Sequence, residues 1–425
     1  MKVAVVGTGI SGLAAARQLA ERGCELVVFE AQSRLGGHTH THSVDIDGRE
    51  YRVDTGFIVF NNRTYPEFHT LLRTLQVESR DAPMSFSVRC EDTGLEYAGT
   101  SLDSLFAQRR NLLSPRFLGM LGDILRFNRI APRDLAAGHA EGGLGDYLAH
   151  RGFGERFIRH YIVPMGAAIW STDPARMLAF PAAFFIRFFM NHGLLTLDDR
   201  PQWQVVSGGS SSYIEPLARP FADNIRRRCP VRRVRRLGDA VEIHSDDSGW
   251  ERFDAVFLAC HADEALAILD EPTALEHEVL GALPYQRNEA ILHTDSRVMP
   301  RRSRAWAAWN YHVIGAGQPV CLSYNMNILQ GIEAPVEFCV TLNNAEAMAA
   351  ESVIARMDYA HPVFTPASVS AQARHGELHA GGRVFFCGAY WGYGFHEDGL
   401  RSAQRAVGDF ERRFGYAQRD LQRSA

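Results

Sequence analysis

The chain has 425 residues, 46% of them hydrophobic and 22% charged, and its formal net charge is −4. Such a composition can bury a large core, which excludes disorder, collagen and a small disulfide scaffold, and the slightly acidic balance argues against a general nucleic-acid partner. Lys2 is the only lysine among 45 basic residues, so a mechanism built on a catalytic lysine must use Lys2 or be absent.

The chain opens on Lys2-Val3-Ala4-Val5-Val6, a short apolar run that reads as a buried strand and is too short for a secretory signal. Gly7-Thr8-Gly9-Ile10-Ser11-Gly12 follows at once, then a helical stretch from Leu13 to Arg22, a break at Gly23, and a second buried strand from Glu25 to Phe29 ending in Glu30. A G-x-G-x-x-G turn between strand and helix is the dinucleotide-binding arrangement. Gly7 permits the tight turn, Gly9 lets backbone approach a diphosphate, and Gly12 lets helix pack on strand; with Ser11 these are the candidate contacts of the turn. The helix N-terminus presents free N–H groups and partial positive charge to the phosphates. Glu30 stands 18 residues past Gly12, where its carboxylate can accept from ribose hydroxyls and would repel a 2′-phosphate.

Next comes Glu30-Ala31-Gln32-Ser33-Arg34-Leu35-Gly36-Gly37-His38, and later Asp54-Thr55-Gly56-Phe57. Here the sequence resembles the flavin-containing amine oxidase and phytoene desaturase superfamily. The resemblance implies FAD as cofactor, with Arg34 at the phosphates, Gly36, Gly37 and His38 passing close to the cofactor, and Asp54, Thr55, Gly56 and Phe57 as a further contact. His38, His40 and His42 alternate, so on a strand they would share one face. They read as cofactor-adjacent or solvated histidines, with a three-histidine metal site as the alternative; no metal is assigned.

The following segment is helical and rich in Phe, Leu and Arg. Ser114 can cap a helix with Pro115 in its first position. Phe117, Leu118, Leu121, Ile124, Leu125 and Phe127 form its apolar face, flanked by Arg116, Arg126 and Arg129. The face reads as core packing, with an interfacial helix on an anionic membrane as the rival. The aromatic run from Phe180 to Leu195 suits a hydrophobic substrate tunnel. It is broken by Arg187, so no stretch is long and uncharged enough to span a bilayer.

Trp203 to Ser210 precedes a helix expected over Ser211–Phe221, and strands are expected near Ala240–His244 and Phe253–Cys260. Seven arginines between Arg226 and Arg236 read as the solvated face of a strand pair. Gly208-Gly209 does not begin a second G-x-G-x-x-G, so no separate nicotinamide site is expected. By resemblance, Val231 brackets adenine through its backbone. Near the C-terminus Arg383 to Tyr390 reads as a strand, Trp391-Gly392-Tyr393-Gly394 as a crossing, and the residues toward Phe410 as a helix. This resembles the superfamily's C-terminal flavin motif. Gly388 would approach the cofactor, and a helix N-terminus at Asp398-Gly399-Leu400 would face the flavin edge where negative charge gathers on reduction.

Nearly the whole chain is also similar to a narrower bacterial group of NAD/FAD-binding flavoproteins, through Trp170-Ser171, Asn191-His192-Gly193, Pro284 to Glu289, Tyr324 to Asn327, Tyr359 to Phe364 and Gly388 to Gly399. That group is associated with cyclopropane fatty-acid synthase-like methyltransferases. The association implies a methylated or unsaturated acyl chain as substrate and a methyltransferase as partner.

The expected fold is α/β: a Rossmann-like FAD domain from residues 1–75, 201–265 and 376–425, and a discontinuous α+β substrate domain from 76–200 and 266–375. The expected enzyme is an FAD-dependent oxidoreductase taking hydride at flavin N5 from a hydrophobic substrate. The alternatives are an amine or polyene oxidase or desaturase, and a non-redox flavoprotein partner of a lipid methyltransferase. Monoamine-type oxidases place a lysine near N5, which the lone Lys2 at the first strand cannot supply. Candidate bases or orienting groups are His192, His396 and Glu397, with Tyr390 and Tyr393 along the flavin face. Seven scattered cysteines without a C-x-x-C spell neither disulfide framework nor zinc site. They fit a cytoplasmic protein, peripheral at most to the inner face of a membrane.

Overall fold

The structure is a computed structural model and describes residues 1–196, 198–315 and 320–415. Lys2–Val6 is the middle strand of a five-stranded, all-parallel sheet. Across the sheet the order is Ile225–Arg226, Glu25–Phe29, Lys2–Val6, Ala255–Leu258, Val384–Phe386. Successive side chains of a strand face opposite ways, and the first strand shows it. Val3 and Val5 pack with Leu13, Ala403 and Phe410 of the helices Ile10–Glu21 and His396–Phe414. Ala4 and Val6 pack with Val234, Ile243 and Phe253 of an antiparallel sheet covering the other face. A strand buried on both sides must be apolar throughout, which is why Val-Ala-Val-Val stands here.

The second body is a seven-stranded mixed sheet, ordered Val353–Pro362, Tyr285–His293, Cys339–Leu342, Leu322–Asn325, Trp309–Val313, Phe86–Cys90, Leu95–Ala98. The parallel pairing of Trp309–Val313 with Phe86–Cys90 joins segments more than 200 residues apart. Helices Pro115–Ala136, Val163–Trp170 and Ala182–Asn191 contribute to the aromatic core beside it.

Several expected elements shift for visible reasons. The helix read over Ser211–Phe221 is a broken run of 3₁₀ turns around Ile214–Ala218. Pro216 and Pro220 each lack the N–H a continuing helix needs. The strand expected to carry three histidines on one face starts only at Thr41, after His38 and His40. In Pro115–Ala136 the buried stripe is Phe117, Met120, Phe127 and Ala131, with Leu121 and Ile124 half-buried beside it. Leu118 and Leu125, a quarter turn away, face solvent. The arginines of Val231–Arg236 do form a solvated face: Arg232, Arg233, Arg235 and Arg236 pair with Asp246, Asp270, Glu242 and Glu276. Among the described residues no helix is long and apolar enough to cross a membrane.

Candidate active site

A cavity of about 1120 Å³ runs from the first glycine-rich turn into the aromatic body. Its two ends are built differently.

At the sheet end, the turn after the first strand provides Gly7, Gly9 and Ser11 to the wall. The three glycines of the turn have distinct jobs. Gly7 adopts φ +100°, a conformation that side chains resist. A Cβ on Gly12 would fall 2.0 Å from the Gly7 carbonyl oxygen, so Gly12 is a packing glycine lying off the cavity. A Cβ on Gly9 would meet nothing within 4 Å, because it would project into open space. The second glycine-rich loop lies over the first: a Cβ on Gly37 would be 3.0 Å from the Gly9 Cα. Gly36, His38, Gly56 and Phe57 complete this side.

Glu30 is buried at the tip of the second strand. Its carboxylate accepts from the Thr8 hydroxyl, from the Thr8 N–H (3.1 Å) and from the Gln32 N–H (2.8 Å). The Cys229 N–H donates to the Glu30 carbonyl (2.9 Å), which fixes the Cys229-Pro230-Val231 stretch opposite this carboxylate. Both Glu30 and Val231 line the cavity. Arg34 lines it too, donating from one guanidinium nitrogen to the Thr39 carbonyl at 3.3 Å.

The C-terminal motif meets this end from the side. The helix begins at His396 rather than at Asp398, with Phe395 as N-cap, and Asp398 turns back to accept from the Phe395 N–H at 3.0 Å. Asp398, Gly399 and Leu400 therefore lie inside the helix and off the cavity wall, while Phe395 and His396 line it. A Cβ on Gly399 would fall 2.8 Å from both the Ile10 Cγ2 and the Ser11 Oγ. Two helix N-termini thus abut, and their unpaired N–H groups and partial positive charges converge beside the cavity. His396 stacks on Phe57 with ring centroids 3.5 Å apart. Its Nε2 lies 2.9 Å from the Thr39 hydroxyl and 3.0 Å from the Tyr213 hydroxyl. Burial pushes its pKa down to about 3, so the ring is neutral. Burial raises the Asp398 carboxyl to about 7.

The other end is the aromatic chamber, with Met84, Phe86, Met165, Ile169, Leu194 and Trp309 in its wall. Trp170 donates its indole N–H to the Tyr393 carbonyl at 3.2 Å, and Phe184 packs on the Tyr393 ring at 4.5 Å. His192 stacks on Phe188 at 3.8 Å, and its Nδ1 donates to the Phe188 carbonyl at 3.0 Å. That bond fixes the tautomer and leaves Nε2 as an acceptor. Burial lowers the His192 pKa to about 4.

Two expectations fail on this geometry, and a third is refined. Glu397 does not reach the cavity: its carboxylate accepts from the Glu67 and Phe68 N–H groups, capping the helix Pro66–Leu75, and from Arg401. Asp54 and Thr55 are also off the wall. Asp54 accepts from Thr41, Ser210 and Gln330, tying three separate segments together, and burial raises it to about 6. The Thr55 hydroxyl lies 3.1 Å from the Tyr359 hydroxyl. Tyr390 and Tyr393 both line the cavity but pack differently: Tyr393 packs with the aromatic body, whereas Tyr390 packs beside Tyr285 with the residues on one face of the parallel sheet.

The structure also assembles a group whose members the sequence marked only separately or, for His261, not at all. His38 stacks on Tyr359 at 5.0 Å, His361 lies 5.4 Å from His38, and His261 stacks on Tyr285 at 4.4 Å. All five line the cavity. They come from four strand ends and loops far apart in the chain, so no local pattern marks them as a group. Burial, with mutual repulsion between the rings against their joint protonation, lowers His38 well below the usual imidazole range and His361 to about 4. No group of three or more His, Cys, Asp or Glu among the described residues is arranged to hold a metal.

The cavity fits a flavin dinucleotide by its own features. His38 Nε2 and Tyr390 Oη are buried on its wall without a hydrogen-bond partner, an arrangement that costs free energy until a polar ligand meets them. Gly9 faces the open space, and both helix N-termini lack a partner for their anion-binding N–H groups.

Comparison with known proteins agrees. A family profile described as flavin containing amine oxidoreductase matches residues 10–326. Carotenoid phi-ring synthase of Streptomyces griseus is 28% identical over 280 residues, 60% of this chain and 52% of its own length. This chain thus spans about half of that relative. The putative flavin-containing monoamine oxidase AofH of Mycobacterium tuberculosis is 25% identical over 291 residues, covering 65% of this chain and 61% of that protein. Cyclohexylamine oxidase from Brevibacterium oxydans has the same fold, with a TM-score of 0.65 at 17% identity over 96% of this chain and 98% of that one.

Proposed function

The chain belongs to the flavin-containing amine oxidoreductase family and FAD is its cofactor; on that premise we propose that it is an oxidoreductase acting at carbon on a long apolar substrate, a methylated or unsaturated acyl or polyene chain. The observation that carries this reading is the chamber wall. Around Trp170, Phe188, Leu194 and Trp309 it is aromatic and aliphatic, and the carboxylates on the cavity wall among the described residues are engaged elsewhere: Glu30 by Thr8 and Gln32, Glu264 by the His261 N–H, and Asp358 by Arg287. An ammonium substrate would be desolvated there with no anion to meet it. Lys2 is no substitute for a lysine beside the flavin, since its Nζ lies over the Phe253 ring at 4.8 Å on the far face of the sheet. The name of the 28% identical relative, a carotenoid synthase, supports an apolar polyene or acyl class.

FAD supplies the two-electron acceptor for hydride. The chain's own groups bind and orient. Gly7, Gly9, Ser11 and Arg34 would hold the diphosphate, Glu30 would take the ribose hydroxyls, Val231 would border the adenine, and Gly36, Gly37, His38, Gly56, Phe57 and Gly388 would surround the rest. The helix N-terminus at His396 would present its N–H groups to the flavin rim. Trp170, Tyr393 and Phe188 exclude water from the chamber. The free Nε2 of His192 accepts the substrate proton, and His396, kept neutral by burial and positioned by Thr39 and Tyr213, borders the flavin site. The division into residues 1–75, 201–265 and 376–425 around the cofactor, and 76–200 and 266–375 around the substrate, follows this reading.

The test is anaerobic mixing of the yellow protein with unsaturated phospholipid, with carotenoid and with simple amines, following the flavin band at about 450 nm. Lipid or polyene bleaches the band and amines do not. His192→Ala slows that bleaching by about a hundredfold with FAD still bound, and His396→Ala also slows it. Faster bleaching by amines, or unchanged rates in both variants, refutes the reading.

A further inference from the structure

Among the described residues, most of the large exposed hydrophobic side chains crowd into one short segment. Leu102 is 76% exposed, Leu112 49%, Leu113 88%, Leu118 45% and Leu125 55%. Leu102 opens the short helix Leu102–Leu105, Leu112 and Leu113 end the 3₁₀ turn Arg109–Leu113, and Leu118 and Leu125 lie two turns apart on the outer side of Pro115–Ala136. The segment is held as a unit: Arg109 pairs with Asp103 and donates to the Phe106 carbonyl, and Ser114 caps the long helix. The same helix has its own buried stripe on Phe117, Met120 and Phe127, so the outward leucines are surplus to the core.

The charge around them has one sign. The acids of the segment are already committed: Asp103 to Arg109, Asp123 to Arg126 and Asp134 to Arg151. Arg110 and Arg116 flank Leu112 and Leu113, and Arg129 and Arg133 continue the outer face beyond Leu125. All four are exposed and have no ion-pair partner among the described residues. The segment also adjoins the cavity. Gly99 and Thr100 are part of the cavity wall, and Leu102 follows two residues later, within about 7 Å along the chain.

We propose that this leucine and arginine surface seats the protein on an anionic lipid bilayer, with the chamber opening toward the acyl region through Gly99 and Thr100. Surplus apolar side chains ringed by unpaired cations are the chemistry of an interfacial element. A second copy of the chain fits worse, because a two-fold contact through this surface would bring its unpaired arginines together with no acid free to meet them. The proposal goes beyond the oxidoreductase reading and needs no turnover to test.

Purified, FAD-loaded protein is sedimented with vesicles of phosphatidylcholine alone and of phosphatidylcholine with an equal part of phosphatidylglycerol. Wild-type protein co-sediments with the anionic vesicles, and salt weakens the binding. Arg110→Glu with Arg116→Glu lowers partitioning by at least about fivefold for each arginine removed. Leu112→Asp with Leu113→Asp abolishes it, while Ile354→Asp, an exposed position elsewhere, binds as wild type. Because every altered side chain is exposed, FAD content stays constant across the set. No wild-type binding, or binding by the Leu112→Asp, Leu113→Asp protein equal to wild type, overturns the proposal. So does a wild-type dimer that the leucine variant converts to monomer, which would assign the surface to a chain–chain contact. Failure of the oxidoreductase reading would leave these binding results unchanged.

Discussion

At the nucleotide end the cavity wall is mostly backbone: two glycine loops laid on each other, the tips of parallel strands, and two helix N-termini in contact at Gly399 and Ser11. At the chamber end the wall is side chain, with Trp170, Phe188, His192, Trp203, Trp309 and Tyr324 arriving from several separate elements. The first kind of wall recognises charge and hydrogen-bonding geometry that every FAD shares. The second recognises shape, and it can be refilled without touching the cofactor. Substitutions at the first end should therefore act on cofactor and fold, and those at the second on substrate alone.

The sharpest way to break this contrast lies within the nucleotide end itself. Gly12→Ala drives a Cβ to 2.0 Å from the Gly7 carbonyl oxygen, against backbone that cannot step aside. The cost should reach or exceed the roughly 3 kcal/mol at the top of ordinary overpacking, and it should appear as a lower Tm and colourless protein. Gly9→Ala is the matched control, since Gly9 has φ −63°, which alanine adopts freely, and its Cβ meets no protein atom within 4 Å. Its stability without cofactor should stay within about 0.5 kcal/mol of wild type. Its FAD affinity should fall at least about tenfold, or 1.4 kcal/mol, because the methyl occupies the space left for the diphosphate. Thermal melts with and without added FAD check both. Equal cofactor affinity in Gly9→Ala and wild type would move the diphosphate elsewhere.

The chamber gives the next largest effect. Leu194 is half-buried on the wall. Leu194→Trp should cut kcat/KM for an apolar chain by about tenfold, the scale at which a filled hydrophobic pocket discriminates. FAD content and the flavin spectrum should not change. A variant that loses FAD instead would show that the two ends are not separable.

This division also explains what the sequence disclosed. The nucleotide end was legible because G-x-G-x-x-G, the acid after the second strand and R-x-G-G are local demands on backbone, each satisfied within about forty residues. Sequence adjacency misled where a side chain turned back on its own element. Glu397 and Asp398 sit beside a cavity residue, His396, yet one caps the helix Pro66–Leu75 and the other closes the first turn of its own helix. Tyr390 and Tyr393, three residues apart, both line the cavity but pack in different cores, one against the parallel sheet and the other in the aromatic body. His38, Tyr285, Tyr359 and His361 each fell within a stretch marked by resemblance, but nothing local showed that they and His261 meet, since strand pairings such as Tyr285–His293 with Val353–Pro362 bring them together.

The smallest predicted effect tests whether Asp398 is a fixed part of the nucleotide end. Its carboxyl is buried at the first turn of the C-terminal helix, and burial raises its pKa to about 7 against only partial relief from the Phe395 N–H and Arg401. In the unfolded chain the same group ionises near the ordinary Asp value of about 3.9. Between those values the folded protein holds a proton that the unfolded chain has released, so stability must fall as pH rises through the window. From pH 6 to pH 8 the loss is about 1 kcal/mol. Asp398→Asn keeps an oxygen for the Phe395 N–H but has nothing to ionise, so its stability should lack this component of the pH dependence. Denaturant titrations of both proteins at pH 6 and pH 8 decide the matter. Parallel losses in the two would mean that Asp398 keeps its ordinary ionisation, and that the contact of the two helix N-termini is more open to water than the fold makes it.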